Sequence, residues 1–333
     1  MRAWATRGLL LAVVALGLGP GLFWRAPTGQ RSDTAQVSLT PVAERAGVAG
    51  VLRLSGAWEM RAAHGWFGGF SALVAGGRGL IAGSDRGFLL EIDLAGPVPR
   101  AVPGSFRFVG DSSRGREEVV DLESLAYDPA SGTLWGGFEN FNLVTRFAPD
   151  GTRTSTTPHA MRRWSANSGA ETMERLEDGR FLIIAEGPLR GSQTHHEALL
   201  FSGDPVETGA LAPLAFVLLA PADYDPVDAA QLPDGRVLIL LRRVEYALPA
   251  RFDTAIAIAD PAAVRPGKAW PARVIQRLSG GLFADNFEGI AFVPDPADPA
   301  RGAVWLVSDD NFSVFQRNLL VRFDWDARSA RAP

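Results

Sequence analysis

Hydrophobic and polar positions alternate along this chain in short bursts, not at helical spacing. Apolar runs such as Phe181-Leu-Ile-Ile-Ala185 and Val237-Leu-Ile-Leu-Leu241 are bounded by Gly, Pro and Asp, which punctuate strands and tight turns. One module recurs: a polar or acidic residue, an apolar strand, a Gly turn, a second apolar strand, then another charged residue. The clearest copy runs from Glu171 through Asp178-Gly179 to Glu186, and a second runs from Asp228 through Pro233-Asp234-Gly235 to Arg242. A third runs from Glu123 through Asp128-Pro129 and Gly132 to Glu139. A fourth runs from Glu288 across a turn rich in Pro and Asp to Asp309. The first copy in the chain is weaker, from Ser71 through Gly76-Gly77 to Asp85. Turn chemistry makes each a β-hairpin. The leading residues Ser71, Glu123, Glu171, Asp228 and Glu288 stand 52, 48, 57 and 60 positions apart.

Further strand-like runs follow the hairpins, among them Leu143 to Phe147, Thr152 to Thr156, Thr254 to Ala259 and Arg273 to Leu278. Four antiparallel strands repeated at roughly 50 residues are the signature of a propeller blade. The expected fold is therefore an all-β propeller of five blades between Val51 and Asp326. Six is the alternative, if a degenerate blade hides in Asp93 to Val120 or Arg243 to Gly280. A β-sandwich with coincidental turns does not explain acids in matching places. One strand, Leu319 to Trp325, follows the last hairpin, so Val51 to Trp58 is expected to supply the strand that closes the ring.

The start of the chain reads differently. Arg2 and Arg7 precede an apolar run from Leu9 to Trp24, as in an export signal or an uncleaved anchor, so residues 1–24 are set apart from the fold. Residues 25–47 read as a polar linker and 48–328 as the propeller. The expected location is the periplasm or outside the cell, with an inner-membrane anchor if the segment is retained.

Composition removes several functions. The chain has no cysteine, which excludes disulfides, thiol catalysis and Cys-based zinc sites. With 33 basic and 37 acidic residues there is no positive excess to replace counterions on nucleic acid. His64, His159, His195 and His196 form no metal-spaced motif, and no Gly-x-Ser-x-Gly elbow occurs.

Residues about 15 apart across one hairpin turn return to the same end. Glu123 with Glu139, Glu171 with Glu186, Asp228 with Arg242 and Glu288 with Asp309 are thus expected at one channel mouth, joined by Asp85. Converging carboxylates need cations between them, and hard oxygen donors favour Ca²⁺, or Mg²⁺, over Zn²⁺. Asn167, Asn286 and Asn311 add amide oxygens, and Arg86, Arg242 and Arg243 are the nearby cations. Arg242 could clamp an anionic oxygen or serve as a counter-ion. The plainer account is that the acids only cap strands and hold turns.

Five elements carry a family resemblance: Gly83-Ser-Asp85-Arg86-Gly87, Asp121-Leu-Glu123, Asn167-Ser-Gly169-Ala-Glu171, Asp285-Asn-Phe-Glu288-Gly289 and Ser308-Asp-Asp-Asn311-Phe312, with Gln316 after the last. In this order, from Gly68 to Asp326, they resemble the phytase-like family labelled "esterase-like activity of phytase". The resemblance implies an exported bacterial propeller and phosphate-ester hydrolysis. Propeller phytases of known activity are calcium enzymes with six blades and lysine-rich phosphate contacts. This chain has one lysine, Lys268, so the resemblance is carried as architecture.

Two functions are compatible with these residues. One is a Ca²⁺-dependent hydrolase of a phosphate ester or related small ester, with Glu171 or Glu288 as base and Arg242 assisting. The other is a non-catalytic propeller with structural Ca²⁺. Both imply a monomer that takes a small anionic or phosphorylated ligand, and the membrane enters only through the first segment.

Overall fold

The computed structural model describes residues 35–43, 50–111, 120–165, 169–207, 212–246 and 250–328. The expected signal segment and Asn167 lie outside the described residues. Among those described, no helix is long and apolar enough to cross a membrane.

Five sheets form five blades. Their innermost strands are Phe70–Gly76, Leu122–Asp128, Ala170–Arg175, Asp225–Gln231 and Asn286–Asp295, which lead blades 1 to 5 in that order. Each innermost strand packs beside the next, and that of blade 5 packs beside that of blade 1, so the ring closes. The two stretches that could have hidden a sixth blade supply outer strands instead. Arg100–Ala101 and Arg107–Phe108 pair with Phe88–Asp93 in blade 1. Arg251–Ala259 and Arg273–Leu278 complete blade 4, while Ala269–Pro271 pairs in parallel with Leu214–Leu219 at the edge of blade 3.

The unbroken apolar runs follow from this arrangement. A strand's side chains alternate between two faces, and a blade buries both faces against its neighbours. In Val237–Glu245, Leu238 and Leu240 enter the core shared with blade 5, whereas Ile239 and Leu241 enter the core shared with blade 3. Five apolar clusters result, one between each pair of adjacent blades.

Closure joins the two ends of the chain. Arg53–Arg61 pairs antiparallel with Leu319–Asp326, in register from Arg53 opposite Asp324 to Glu59 opposite Leu319. The expected linker needs one correction, because Ser38–Pro41 forms an outer strand on Arg53–Arg61. The closing strand would otherwise present an unpaired edge to solvent, and this short segment covers it. Four residues with mostly exposed side chains carry too little periodicity to be read as a strand.

Candidate functional site

The innermost strand of every blade carries an irregularity at the same place. Register shifts fall between Phe70 and Ala72, Leu122 and Ser124, Ala170 and Thr172, Pro226 and Asp228, and Phe287 and Gly289. The extra residues are Ser71, Glu123, Glu171, Val227 and Glu288. A bulge re-aims the side chain it carries, and here three of five are carboxylates. The second strand of each hairpin then brings Asp85, Glu139, Glu186, Arg242 or Asp309 to the rim, at its last residues or just beyond them. These are tied back to the residue two places before the bulge: Asp85 N–H donates to Gly69 O at 2.8 Å, Glu139 N–H to Asp121 O at 2.9 Å and Glu186 N–H to Gly169 O at 3.0 Å. In blades 4 and 5 the corresponding pairs are Asp225 with Arg242 and Asn286 with Asp309. Three positions per blade therefore build one rim.

Two carboxylate triads stand out on it. Asp121, Glu123 and Glu139 each bring an oxygen within 4.8 Å of the other two, and so do Glu139, Glu171 and Glu186. Glu139 belongs to both, and its carboxylate accepts the Gly169 N–H at 2.8 Å. Burial, reinforced by Asp121 and Glu186, raises its pKa to about 7. Burial and then Glu171, Glu288, Asp121 and Asp85 hold Glu123 well above the usual range. Burial and Glu186 do the same to Glu171, and burial and Glu288 to both Asp85 and Asp309. Burial also lifts Asp225, to about 6, with help from Glu186. The rim holds negative charge under strain.

Arg242 is the guanidinium inside this ring. Its two terminal nitrogens reach Glu186 of blade 3 and Glu288 of blade 5, and one also donates to Asn286 Oδ1 at 3.1 Å. Burial alone would lower its pKa, but Glu288, Glu186 and Glu171 outweigh that and raise it. Asn286 completes the bridge, donating to Glu288 at 2.7 Å and to Asp309 at 3.3 Å. Arg86 lies beside Asp85, Asp309 and Asp310, whose charges favour its protonated form, while its guanidinium stacks 3.2 Å from the Phe312 ring and donates to Gly65 O at 3.0 Å. Asn311 lies in the loop above, donating to Gln316 at 2.8 Å, with its own N–H on Asp309 at 2.6 Å.

Asp228 is the correction. It does not join Glu123, Glu171 and Glu288, because the bulge of blade 4 falls on Val227 and shifts Asp228 into the register of Ser124, Thr172 and Gly289. Its buried carboxylate accepts backbone N–H groups from Ala229 and Ile290 at 2.8 Å each and from Leu73 at 3.4 Å. It fastens blade 4 to blades 5 and 1. The charged residue nearest in effect is Glu174, at the other end of the innermost strand of blade 3. Conversely, Asp121, Asp225 and Asp310 belong to the site and were not among the candidates. Asp121 and Asp225 stand two places before a bulge, a position whose meaning depends on knowing where the bulge is. Asp310 is fully buried and accepts from Gly69 N–H at 3.0 Å and Asn318 Nδ2 at 2.9 Å.

This geometry meets an independent match. The model of the phytase-like family, described as esterase-like activity of phytase, matches residues 65–312. The chain belongs to this family. No curated protein matches it. Among solved structures it is similar to the hydrazine synthase of Kuenenia stuttgartiensis, at 12% identity and TM-score 0.36, over 73% of this chain and 57% of that one. It is also similar to the Cps50 (Swd1) β-propeller domain of Myceliophteria thermophila, at 9% identity and TM-score 0.38, over 90% and 99% of the two chains. A third is virginiamycin B lyase from Staphylococcus aureus, at 8% identity and TM-score 0.38, over 86% and 99%. Likenesses this distant say nothing about what the chain binds or turns over.

Proposed function

We propose that the chain is an exported, monomeric Ca²⁺-dependent ester hydrolase whose site is the carboxylate-lined mouth of the propeller. The observation that supports this most is the pair of triads sharing Glu139. Their donors are all carboxylate oxygens, the chemistry that suits Ca²⁺, or Mg²⁺ with fewer protein ligands. Asp121, Glu123 and Glu139 would hold the cation, which when bound neutralises the converging acids and polarises the ester.

The two candidate bases differ in their surroundings. Glu288 is bound by Arg242 and Asn286, which hold it as an ion-paired carboxylate. Among the described residues no hydrogen bond is made to the Glu171 carboxylate, so Glu171 is assigned to take the proton from an attacking water. The water oxygen bonds to the phosphorus or acyl carbon, the ester bond breaks, and the alcohol leaves carrying the proton that Glu171 took from the water. Arg242 acts as a positioning residue, holding Glu186 and Glu288 in place from blade 4. Membership of a family described by esterase-like activity supports the reading.

The test is a hydrolysis screen of phosphomonoesters, phosphodiesters, lactones and carboxylic esters, with calcium and with chelator. Turnover that needs calcium and disappears in Glu171→Gln supports the hydrolase. Calcium-dependent stabilisation without turnover supports a binding propeller instead. If calcium stabilises no more than sodium at equal ionic strength, the metal site is wrong.

A further inference from the structure

The carboxylate mouth has an apolar side. Among the described residues five large hydrophobic side chains are exposed, and four of them belong to blades 4 and 5 near the rim: Val244 (37%) close to the end of Val237–Glu245, Tyr246 (99%) just after it, and Val314 (52%) and Phe315 (54%) in the link 310–318. Residues 310–318 join Asp298–Asp309 to Leu319–Asp326 in blade 5. Tyr246 begins the same link in blade 4, between Val237–Glu245 and Arg251–Ala259. Both links leave from the ends of the strands that place Asp309 and Arg242 on the rim. In blades 1 and 2 the corresponding links turn back within a few residues, at Asp85–Gly87 and Glu139–Asn142.

The blade 5 loop is fastened to the site. Asp310 accepts from Gly69 N–H at 3.0 Å and Phe312 N–H at 3.2 Å, and Arg317 grips Asp285 at 2.7 Å and 3.0 Å. Asn311 and Phe312 are both left-handed, with φ of 47° and 49°, a conformation that non-glycine residues hold only where surrounding contacts impose it. Phe312 reaches the rim itself: a Cβ on Gly69 would collide with both Asp85 Oδ1 and Phe312 Cζ. Apolar surface thus begins beside a rim carboxylate and continues outward to Val314 and Phe315.

We propose that Phe312, Val314, Phe315 and Tyr246 form the apolar wall of the substrate site, so that the ester turned over carries an aliphatic or aromatic group. This rests on the hydrolase reading. A substrate bearing several phosphates suits this side poorly. It would lie against Asp85, Asp309 and Glu288, with the charge of Arg86 already offset by Asp85, Asp309 and Asp310, and that of Arg242 by two carboxylates. An anionic lipid surface meets the same acids and Glu245, which repel it. A small ester with one apolar group satisfies both halves of the mouth.

The experiment compares the wild type with Val314→Ser/Phe315→Ser and with Tyr246→Ser on p-nitrophenyl octanoate and p-nitrophenyl acetate, in calcium. The ratio of kcat/KM for octanoate over acetate is expected to fall about tenfold in the double variant and less in Tyr246→Ser, as an apolar contact is withdrawn. An unchanged ratio overturns the proposal. If the wild type hydrolyses neither ester, the hydrolase reading is decided by the phosphoester and lactone screen, and calorimetric titration with octanoate decides the wall by itself. Binding lost in the double variant supports it, and no binding overturns it. Association of the wild type with phosphatidylcholine vesicles that is lost in the same variant also overturns it, in favour of a membrane contact.

Discussion

Blades 3 and 4 share a backbone plan and differ in charge. Each opens with a bulged strand and returns through an Asp-Gly turn to the same height on the rim. At the bulge and at the returning position blade 3 holds Glu171 and Glu186, and blade 4 holds Val227 and Arg242. Val227 is buried in the core shared with blade 5, and Arg242 spends its guanidinium on the acids of blades 3 and 5. Backbone repetition fixes where side chains arrive, while single substitutions decide what they do there. A ring with acids at every one of these positions would repel itself, and the single arginine of blade 4 relieves part of that repulsion.

The comparison breaks most visibly at Arg242. Arg242→Met strands Glu186 and Glu288 without their counter-ion, and urea unfolding without calcium should show a loss of about 3 kcal/mol at pH 7.5. A loss under 1 kcal/mol would show that blade 4 does not neutralise its neighbours. Next comes Asp228→Asn, which replaces one of the two oxygens that together accept three backbone N–H groups by an NH2 donor and should destabilise by about 2 kcal/mol. Because Asp228 lies off the rim, the calcium-induced rise in Tm should be unchanged in this variant. A diminished rise would return it to the metal site.

Acidity sharpens the contrast further. Glu139 and Asp225 have folded pKa values of about 7 and about 6, both above those of ordinary carboxyls. The folded state therefore binds these protons more tightly than the unfolded chain. The stability this contributes is complete below about pH 4 and is lost as pH rises through 6 and 7. Without calcium, Tm should fall by about 5 °C between pH 5 and pH 8. Glu139→Gln should remove more of that slope than Asp225→Asn. A Tm that rises over this range contradicts the packing of acids on the rim. The smallest effect belongs to Glu171→Gln. Relieved of one charge, the calcium-free protein should gain about 1 kcal/mol while its stabilisation by calcium shrinks, both visible in a Tm titration.

These variants also trace what could be read without coordinates. The five hairpins were legible because each is written twice, in its apolar runs and in its turn residues, as at Asp178-Gly179 and Asp234-Gly235. The returning positions Asp85, Glu139, Glu186, Arg242 and Asp309 were legible because strand length fixes them. Asp228 was misread because a bulge moves one residue without disturbing the apolar pattern. Pro226, Val227 and Asp228 all lie in an otherwise ordinary strand, and only pairing with Leu240 and Leu241 shows which one is extra. Ser38–Pro41 was missed for the opposite reason, since its pairing partner, not its own sequence, makes it a strand. The triads of Asp121, Glu123, Glu139, Glu171 and Glu186 needed distances that no linear spacing contains.

Closing the ring by pairing Arg53 with Asp324 has a kinetic side. The two residues are 271 positions apart, so this contact is among the last that a chain growing from its amino terminus can make. Until it forms, the outer edge of blade 5 offers unpaired backbone groups, a template for association with another copy. Long-range pairing of this kind also slows the search, because loop closure must precede the contacts that reward it. Its entropic penalty grows only with the logarithm of loop length, however, about 0.6 kcal/mol for each doubling. Blade links can therefore differ in length, as those of blades 1 and 5 do, with little effect on whether the circle closes.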